Sequence, residues 1–401
     1  MSNRDAVIVA MGRSAIGDFG GSLVSLRAHQ LGAQVLSAVL EKSGIDPNII
    51  DDVVLGDCVQ CPEEANTART VMLAAGLPDH IPAVTIQRQC SSAMQAMAQA
   101  ATYIKAGEYD VVVAGGMESM SNAPYVLPSA RWGARLQHGQ MMDAMWEMLH
   151  SGSNLLEGRG KGYIMGQTAE NLARKYEIPR EEQDIIALRS HQNAEAAIKS
   201  GKFAQEIIPL KIPQRKGDPK IVDTDEHVRS GLTMEALAKL KPVFAKDGTV
   251  TAGNASGLND GAAICLLMSR EKAQELGLEP IAKIHSFAAA GCDPKIMGWG
   301  PVPSTQKLLK KTGVKLSDIQ LIELNEAFAA QYLACERGLE LNRDITNVNG
   351  SGVGLGHPVG CTGARIVISL LGEMKRRGNT LGLATLCVGG GMGMSMLLEI
   401  E

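Results

Sequence analysis

Residues 83–106 open with Ala83-Val84-Thr85-Ile86, turn through Gln87-Arg88-Gln89-Cys90-Ser91, and continue as Ser92-Ala93-Met94-Gln95-Ala96 on to Ala106. The first four are small or β-branched and end at a polar turn, which reads as a short strand. From Ser92 onward Ala and Met recur at helical spacing with neither Gly nor Pro, which reads as a helix. A strand running straight into a helix is the repeating unit of an α/β fold, and here it places Cys90 at the junction. Free N–H groups and the helix dipole at that point favour a thiolate, so a lowered Cys90 pKa is expected. The rival reading of one such cysteine is a small buried hydrophobe.

The alternation extends in both directions. Ala6 to Ala10, Asp52 to Leu55 and Asp110 to Ala114 read as strands, and Arg27 to Lys42 as a helix. The later chain repeats the theme, with Ile281 to Ile284, Leu321 to Glu323, Asn347 to Asn349 and Leu383 to Cys387 as strands and Ser304 to Thr312 and Gly363 to Arg377 as helices. Val113-Ala114-Gly115-Gly116-Met117 even echoes Val388-Gly389-Gly390-Gly391-Met392, a short match that suggests duplication without establishing it. Residues 121–249, with a helix at Arg180 to Ser200, are too long and apolar for a linker and read as an insertion, with a loop around Ser151 to Gly162. The expected division is 1–120 with 250–279, an inserted 121–249, and 280–401.

Composition narrows the class. The chain has 401 residues, 45% of them hydrophobic, enough for two or three domains with sizeable cores. Lys and Arg number 39 against 43 Asp and Glu, a net charge of -4 that does not point to nucleic acid. No stretch approaches the roughly 18 apolar residues of a membrane span, and the opening run Met1 to Ala10 reads as a strand rather than a signal peptide. Eight scattered cysteines fit reduced thiols, so a cytoplasmic protein is expected. Cys58 and Cys61 form a C-x-x-C with no second pair at zinc spacing, so no metal is expected.

Three further glycine- or cap-rich turns carry chemistry. Asn349 to Ala364, containing Gly356-His357-Pro358-Val359-Gly360, presents a histidine able to act as base and donor in a turn that lets backbone approach a ligand. It fits neither the P-loop nor the dinucleotide fingerprint. Cys387-Val388-Gly389-Gly390-Gly391-Met392-Gly393 sets a second thiol beside glycine N–H groups at a strand end. Asn325-Glu326-Ala327-Phe328 leads another strand into a helix, where the simplest role for Asn325 is a cap.

In this order, with Gly115 to Ser121, Met165 to Asn171 and Thr251 to Ala263, these segments resemble the thiolase family over nearly the whole chain. The resemblance implies a duplicated α-β-α-β-α layered fold with an inserted loop domain. It implies acyl transfer between coenzyme A thioesters, first of all two acetyl-CoA to acetoacetyl-CoA plus CoA, with a 3-ketoacyl-CoA thiolase of broader chain length as the alternative. Cys90 would be the acyl-carrying nucleophile, His357 its base, and Cys387 the acid and base at the α-carbon. One oxyanion site would combine His357 with a water held by Asn325, the other the N–H groups of Cys90 and Gly389. Coenzyme A, a substrate and not a cofactor, would meet Arg229, Phe244, Ala252, Ser256 and Leu258, with Met165 and Met297 at the acyl group. A homo-oligomer, dimer or tetramer, is implied.

Two positions depart from the family pattern. Cys90-Ser91-Ser92-Ala93 stands where many members have Cys-Gly-Ser-Gly, and Ile164 where short-chain members commonly carry His, a donor that Ile cannot replace. Both bear on acyl chain length. A β-ketoacyl synthase would lack the Cys387 glycine turn. A non-catalytic acyl-CoA or lipid-binding relative would have lost Cys90, His357 or Cys387.

Overall fold

The computed structural model describes residues 4–136, 138–155 and 162–400. Met1 to Asn3 of the first expected strand and residues 156–161 of the expected loop lie outside the described residues; Ser153–Leu155 forms a short 3-10 turn.

Nine strands carry the fold: β1 (Ala6–Arg13), β2 (Asp52–Gly56), β3 (Ala83–Ile86), β4 (Val111–Ser119), β5 (Asn259–Ser269), β6 (Ala282–Gly291), β7 (Leu321–Leu324), β8 (Leu381–Val388) and β9 (Met392–Glu399). They lie in the order β7-β8-β9-β6-β1-β5-β4-β2-β3, with Gly17–Asp18 added on the start of β5. The first half is parallel at its outer edge, β3 on β2 on β4, and antiparallel inside, β4 on β5 on β1. The second half has the same plan, β7 parallel to β8 and then β8, β9 and β6 antiparallel. The halves join where β1 meets β6 through Val7↔Lys283 and Ile8↔Ala282.

Alternation along the strands builds the layers. On β4, Val112 and Ala114 face one core while Val111, Val113 and Met117 face another. The central core joins the inner faces of both half-sheets to two helices between them, Ser92–Ala106 and Val359–Arg377. The helices Ala28–Ser43 and Thr67–Ala74 cover one outer face, and Pro301–Thr312 and Ala329–Leu339 the other. This is the expected α-β-α-β-α stack. The two central helices are close because small residues face each other: a Cβ on Gly363 would stand 2.5 Å from the Met94 nitrogen.

Some sequence expectations change. Asn347 to Asn349 is a turn, with Asn347 at φ +50. Its backbone N–H still donates to Ile322 O at 3.0 Å, and its side chain extends the pairing: Oδ1 accepts from Leu324 N at 2.8 Å and Nδ2 donates to Leu324 O at 2.7 Å, closing the edge of β7. Strand β5 escapes a reading by pattern, because it is buried along its whole length and shows no alternation of apolar and polar residues. The echo between Val113–Met117 and Val388–Met392 is no mark of the duplication: the first lies inside β4, the second spans the turn between β8 and β9.

Candidate active site

Cys90 sits in a tightly held elbow between β3 and its helix. Gln89, just before it, takes φ +45, an uncommon conformation for a residue with a side chain. The two serines that follow hold it. Ser92 Oγ donates to Gln89 O at 2.7 Å and accepts from Arg88 N at 2.8 Å, and Ser91 Oγ donates to Arg88 O at 3.0 Å. Cys58 Sγ donates to the same Gln89 carbonyl at 3.0 Å. The departure at Cys90-Ser91-Ser92 therefore has a structural role.

The expected depression of the Cys90 pKa is not found. Burial pushes the thiol up to about 11, the nearby Glu118 charge adds to this, and the N–H groups of Gly389 and of Cys90 itself only oppose it. The helix begins two residues later, at Ser92, so its dipole acts from a distance, while desolvation acts on the sulfur directly.

His357 lies between the short Gly352–Leu355 helix and the Val359–Arg377 helix, its backbone N–H donating to Asn259 Oδ1 at 2.8 Å. Gly356, at φ +99, turns the chain against Asn259, where a Cβ would fall 2.7 Å from Cγ. Thr362 Oγ1 lies 2.7 Å from His357 Nδ1 and donates its single proton to Pro358 O at 2.8 Å. The hydroxyl can then only accept from the ring, which places the hydrogen on Nδ1 and leaves Nε2 as the ring's acceptor. Burial first, and the Arg365 charge second, push His357 down to about 3, so the imidazole is neutral at neutral pH.

Asn325 follows β7 and is fully buried, its N–H donating to Thr385 O on β8 at 3.0 Å. It is not a helix cap: the helix starts at Ala329 with Phe328 at the cap position. Its Nδ2 stands 3.5 Å from both ring nitrogens of His357. Cys387, near the end of β8, is fully buried among Met165, Val250, Met297 and Phe328, and burial holds its thiol well above the usual range.

One pocket gathers most of the expected residues. Cys90, His357, Gly389, Met165, Phe244, Ser256, Leu258 and Met297 all line a cavity of about 120 Å³. Cys387 and Asn325 are not among its lining residues but pack against residues that are, while Arg229 and Ala252 are exposed and off the lining. Phe244 is seated over Gly166, where a Cβ would meet its ring at 2.4 Å, and it meets Phe328 edge-on at 6.3 Å. Ser256 is placed by its N–H donating to Ala327 O at 3.0 Å. Ile164 lines the same pocket, as do Met120, Met148 and Ser151, which the sequence reading missed. Met148 and Ser151 lie in the insertion and Met120 just before it, and isolated residues of this kind carry no signal of which cavity they will line.

Two domain profiles match the chain, "Thiolase, N-terminal domain" over residues 6–271 and "Thiolase, C-terminal domain" over 278–400. The acetyl-CoA acetyltransferase of Pseudomonas aeruginosa is 50% identical over 98% of this chain and 99% of its own length; that of Chromobacterium violaceum is 49% identical over the same shares. Among solved structures, the Bacillus anthracis acetyl-CoA acetyltransferase superposes with a TM-score of 0.95 at 54% identity, covering 99% of this chain and all of its own. The human mitochondrial 3-ketoacyl-CoA thiolase superposes with a TM-score of 0.94 at 40% identity, covering both chains in full. With the layered fold and the whole length matched, the chain belongs to the thiolase family.

Proposed function

We propose that this protein is an acyltransferase that carries out reversible Claisen condensation and thiolysis, converting two acetyl-CoA to acetoacetyl-CoA and free CoA through an acyl-Cys90 intermediate. The observation that carries this reading is one apolar pocket lined by Cys90, His357 and Gly389, with Cys387 and Asn325 packed directly behind it.

His357 Nε2 takes the Cys90 proton as the sulfur attacks the thioester carbon of the first acetyl-CoA. The C–S bond to coenzyme A breaks and the proton leaves with the CoA thiol. A resting thiol at about 11 and a neutral imidazole suit transfer at the moment of attack better than a standing thiolate. Cys387, as its thiolate, then removes a proton from the α-carbon of a second acetyl-CoA, the carbanion attacks the acyl-Cys90 carbonyl, and the C–S bond to Cys90 breaks to leave a thiolate that takes the proton back from Cys387. Negative charge on the thioester oxygens falls to His357 with a water on the Asn325 amide, and to the N–H groups of Cys90 and Gly389. Phe244, Ser256 and Leu258 flank the pantetheine, while Arg229 and Ala252 meet the nucleotide end at the surface.

The broader-chain alternative is favoured by Ile164 and by a lining that includes four methionines, Met120, Met148, Met165 and Met297, flexible enough to yield to a longer acyl group. We further infer a cytoplasmic homo-oligomer. The eight cysteines are unpaired, no helix among the described residues is long and apolar enough to cross a membrane, and Trp132 and Leu136 of the insertion are 83% and 90% exposed.

The test is thiolysis of acetoacetyl-CoA and of a six-to-ten-carbon 3-ketoacyl-CoA by wild type and Cys90→Ala. Turnover of acetoacetyl-CoA that falls by roughly 10⁴ or more in Cys90→Ala is expected. Equal or faster turnover of the longer substrate moves the protein to the broader class, and no Cys90-dependent turnover of either sinks the proposal.

A further inference from the structure

We propose that Arg365 is a positioning residue of this site, fixing the Asn325 amide so that its N–H₂ group faces His357. The inference rests on the acyl-transfer reading and extends it to a residue outside the pocket lining. Arg365 lies on the Val359–Arg377 helix, two turns beyond His357, and is fully buried. Its Nη2 donates to Asn325 Oδ1 at 3.3 Å. A guanidinium has donors only, so the atom facing it has to be the amide oxygen, and Nδ2 is thereby turned to the imidazole. Among the described residues, Arg365 makes the one side-chain contact to that amide oxygen. The backbone leaves room for this arrangement: a Cβ on Gly352 would stand 2.8 Å from Asn325 Oδ1.

Stability alone does not account for Arg365. Among the described residues its Nε and Nη1 have no hydrogen-bond partner, and its carboxylate neighbour, Glu323, is 3.7 Å away. Burying a charge so loosely paired is costly. Glu323 and Asn325 are two residues apart, so both face the helix that carries Arg365. Burial, and the crowding of Glu326, Glu206 and Glu373, push Glu323 up to about 8, even with Arg365 opposing. Arg13, Asp225 and Cys361 complete the charged and titratable surroundings of Arg365. The cation stands behind His357, where its charge helps keep that imidazole neutral.

A double-mutant cycle of Arg365→Met and Asn325→Ala, read by acetoacetyl-CoA thiolysis, tests the role. Arg365→Met is expected to lower kcat on the order of a hundredfold, as removal of an oxyanion donor does, with KM little changed. In the Asn325→Ala background the same substitution is expected to cost nothing more. An equal fold-loss in both backgrounds overturns the proposal. Should Arg365→Met not fold, Arg365→Lys takes its place and is judged by the same rule, since it keeps the cation and loses the fork. The cycle is also read by iodoacetamide alkylation of Cys90, which needs no acyl-CoA. Coupling there with no thiolysis by wild type sinks the acyl-transfer reading alone, whereas wild-type thiolysis with an additive cycle sinks the role of Arg365 alone.

Discussion

The same strand pair is closed in two different ways in the two halves of the molecule. β8 passes to β9 through Gly389–Gly391, pairing Val388 with Met392 across the turn. β4 and β5 pair equally closely, Ser119 with Asp260, yet residues 120–258 run between them. The short connection aims a backbone N–H at Cys90, and the long one supplies Met148, Met165 and Phe244 to the pocket wall. A glycine turn suits the first task because its geometry cannot drift. An insertion suits the second because its side chains can be exchanged without disturbing the sheet. The proposed reaction chemistry thus draws on the tight turn, and the proposed selectivity on the long connection.

Breaking the tight turn should cost most. Gly391 lies at φ +85, and a Cβ there would meet Cys292 O at 2.6 Å and Pro294 Cα at 2.7 Å. Gly391→Ala is expected to destabilise the fold by about 2–4 kcal/mol, from backbone strain and overpacking together. Gly152 of the insertion lies at φ +71 with nothing within 4 Å, so Gly152→Ala should cost only about 1 kcal/mol. Thermal denaturation of both variants checks the contrast; equal losses would mean that the turn is no more constrained than the insertion.

A second expectation concerns pH. With Cys90 held up at about 11, its alkylation in the free protein should rise about tenfold per pH unit through pH 9 and level off near 11, where an ordinary thiol has already levelled off near 9. The sign follows from burial: the folded protein binds the thiol proton more tightly than the unfolded chain does. Cys387, buried and with no glycine N–H aimed at it, should react more slowly throughout. A plateau near neutral pH, followed by mass spectrometry, would show that the glycine turn outweighs desolvation.

The smallest effect belongs to the insertion. Met165→Ala enlarges the pocket wall without touching Cys90 or His357, so relative kcat/KM should shift several-fold toward longer 3-ketoacyl-CoA substrates, the scale of one or two methylene groups. A uniform loss across chain lengths would assign Met165 to packing alone.

Much of this is legible along the chain. The alternation of Val- and Ile-rich runs with Ala- and Met-rich ones determines the α/β class, because periods of 2 and 3.6 are local properties. The turns holding Cys90, Asn325, His357 and Cys387 are recognisable because each joins a strand end to residues with unusual backbone or chemical demands. What tertiary structure alone decides is electrostatic or distant in sequence. The Cys90 pKa departs from expectation because a helix terminus is visible in sequence and desolvation is not. Asn347 reads as part of a strand along the chain, yet it lies in a turn and closes the sheet edge with its side chain as well as its backbone. Arg365 gives no sign of its contact with Asn325, forty positions away, nor Thr362 of the proton it places on His357. The order of residues determines which groups can be presented at a turn; only packing decides which of them lose their water and whose hydrogen bonds they must then accept.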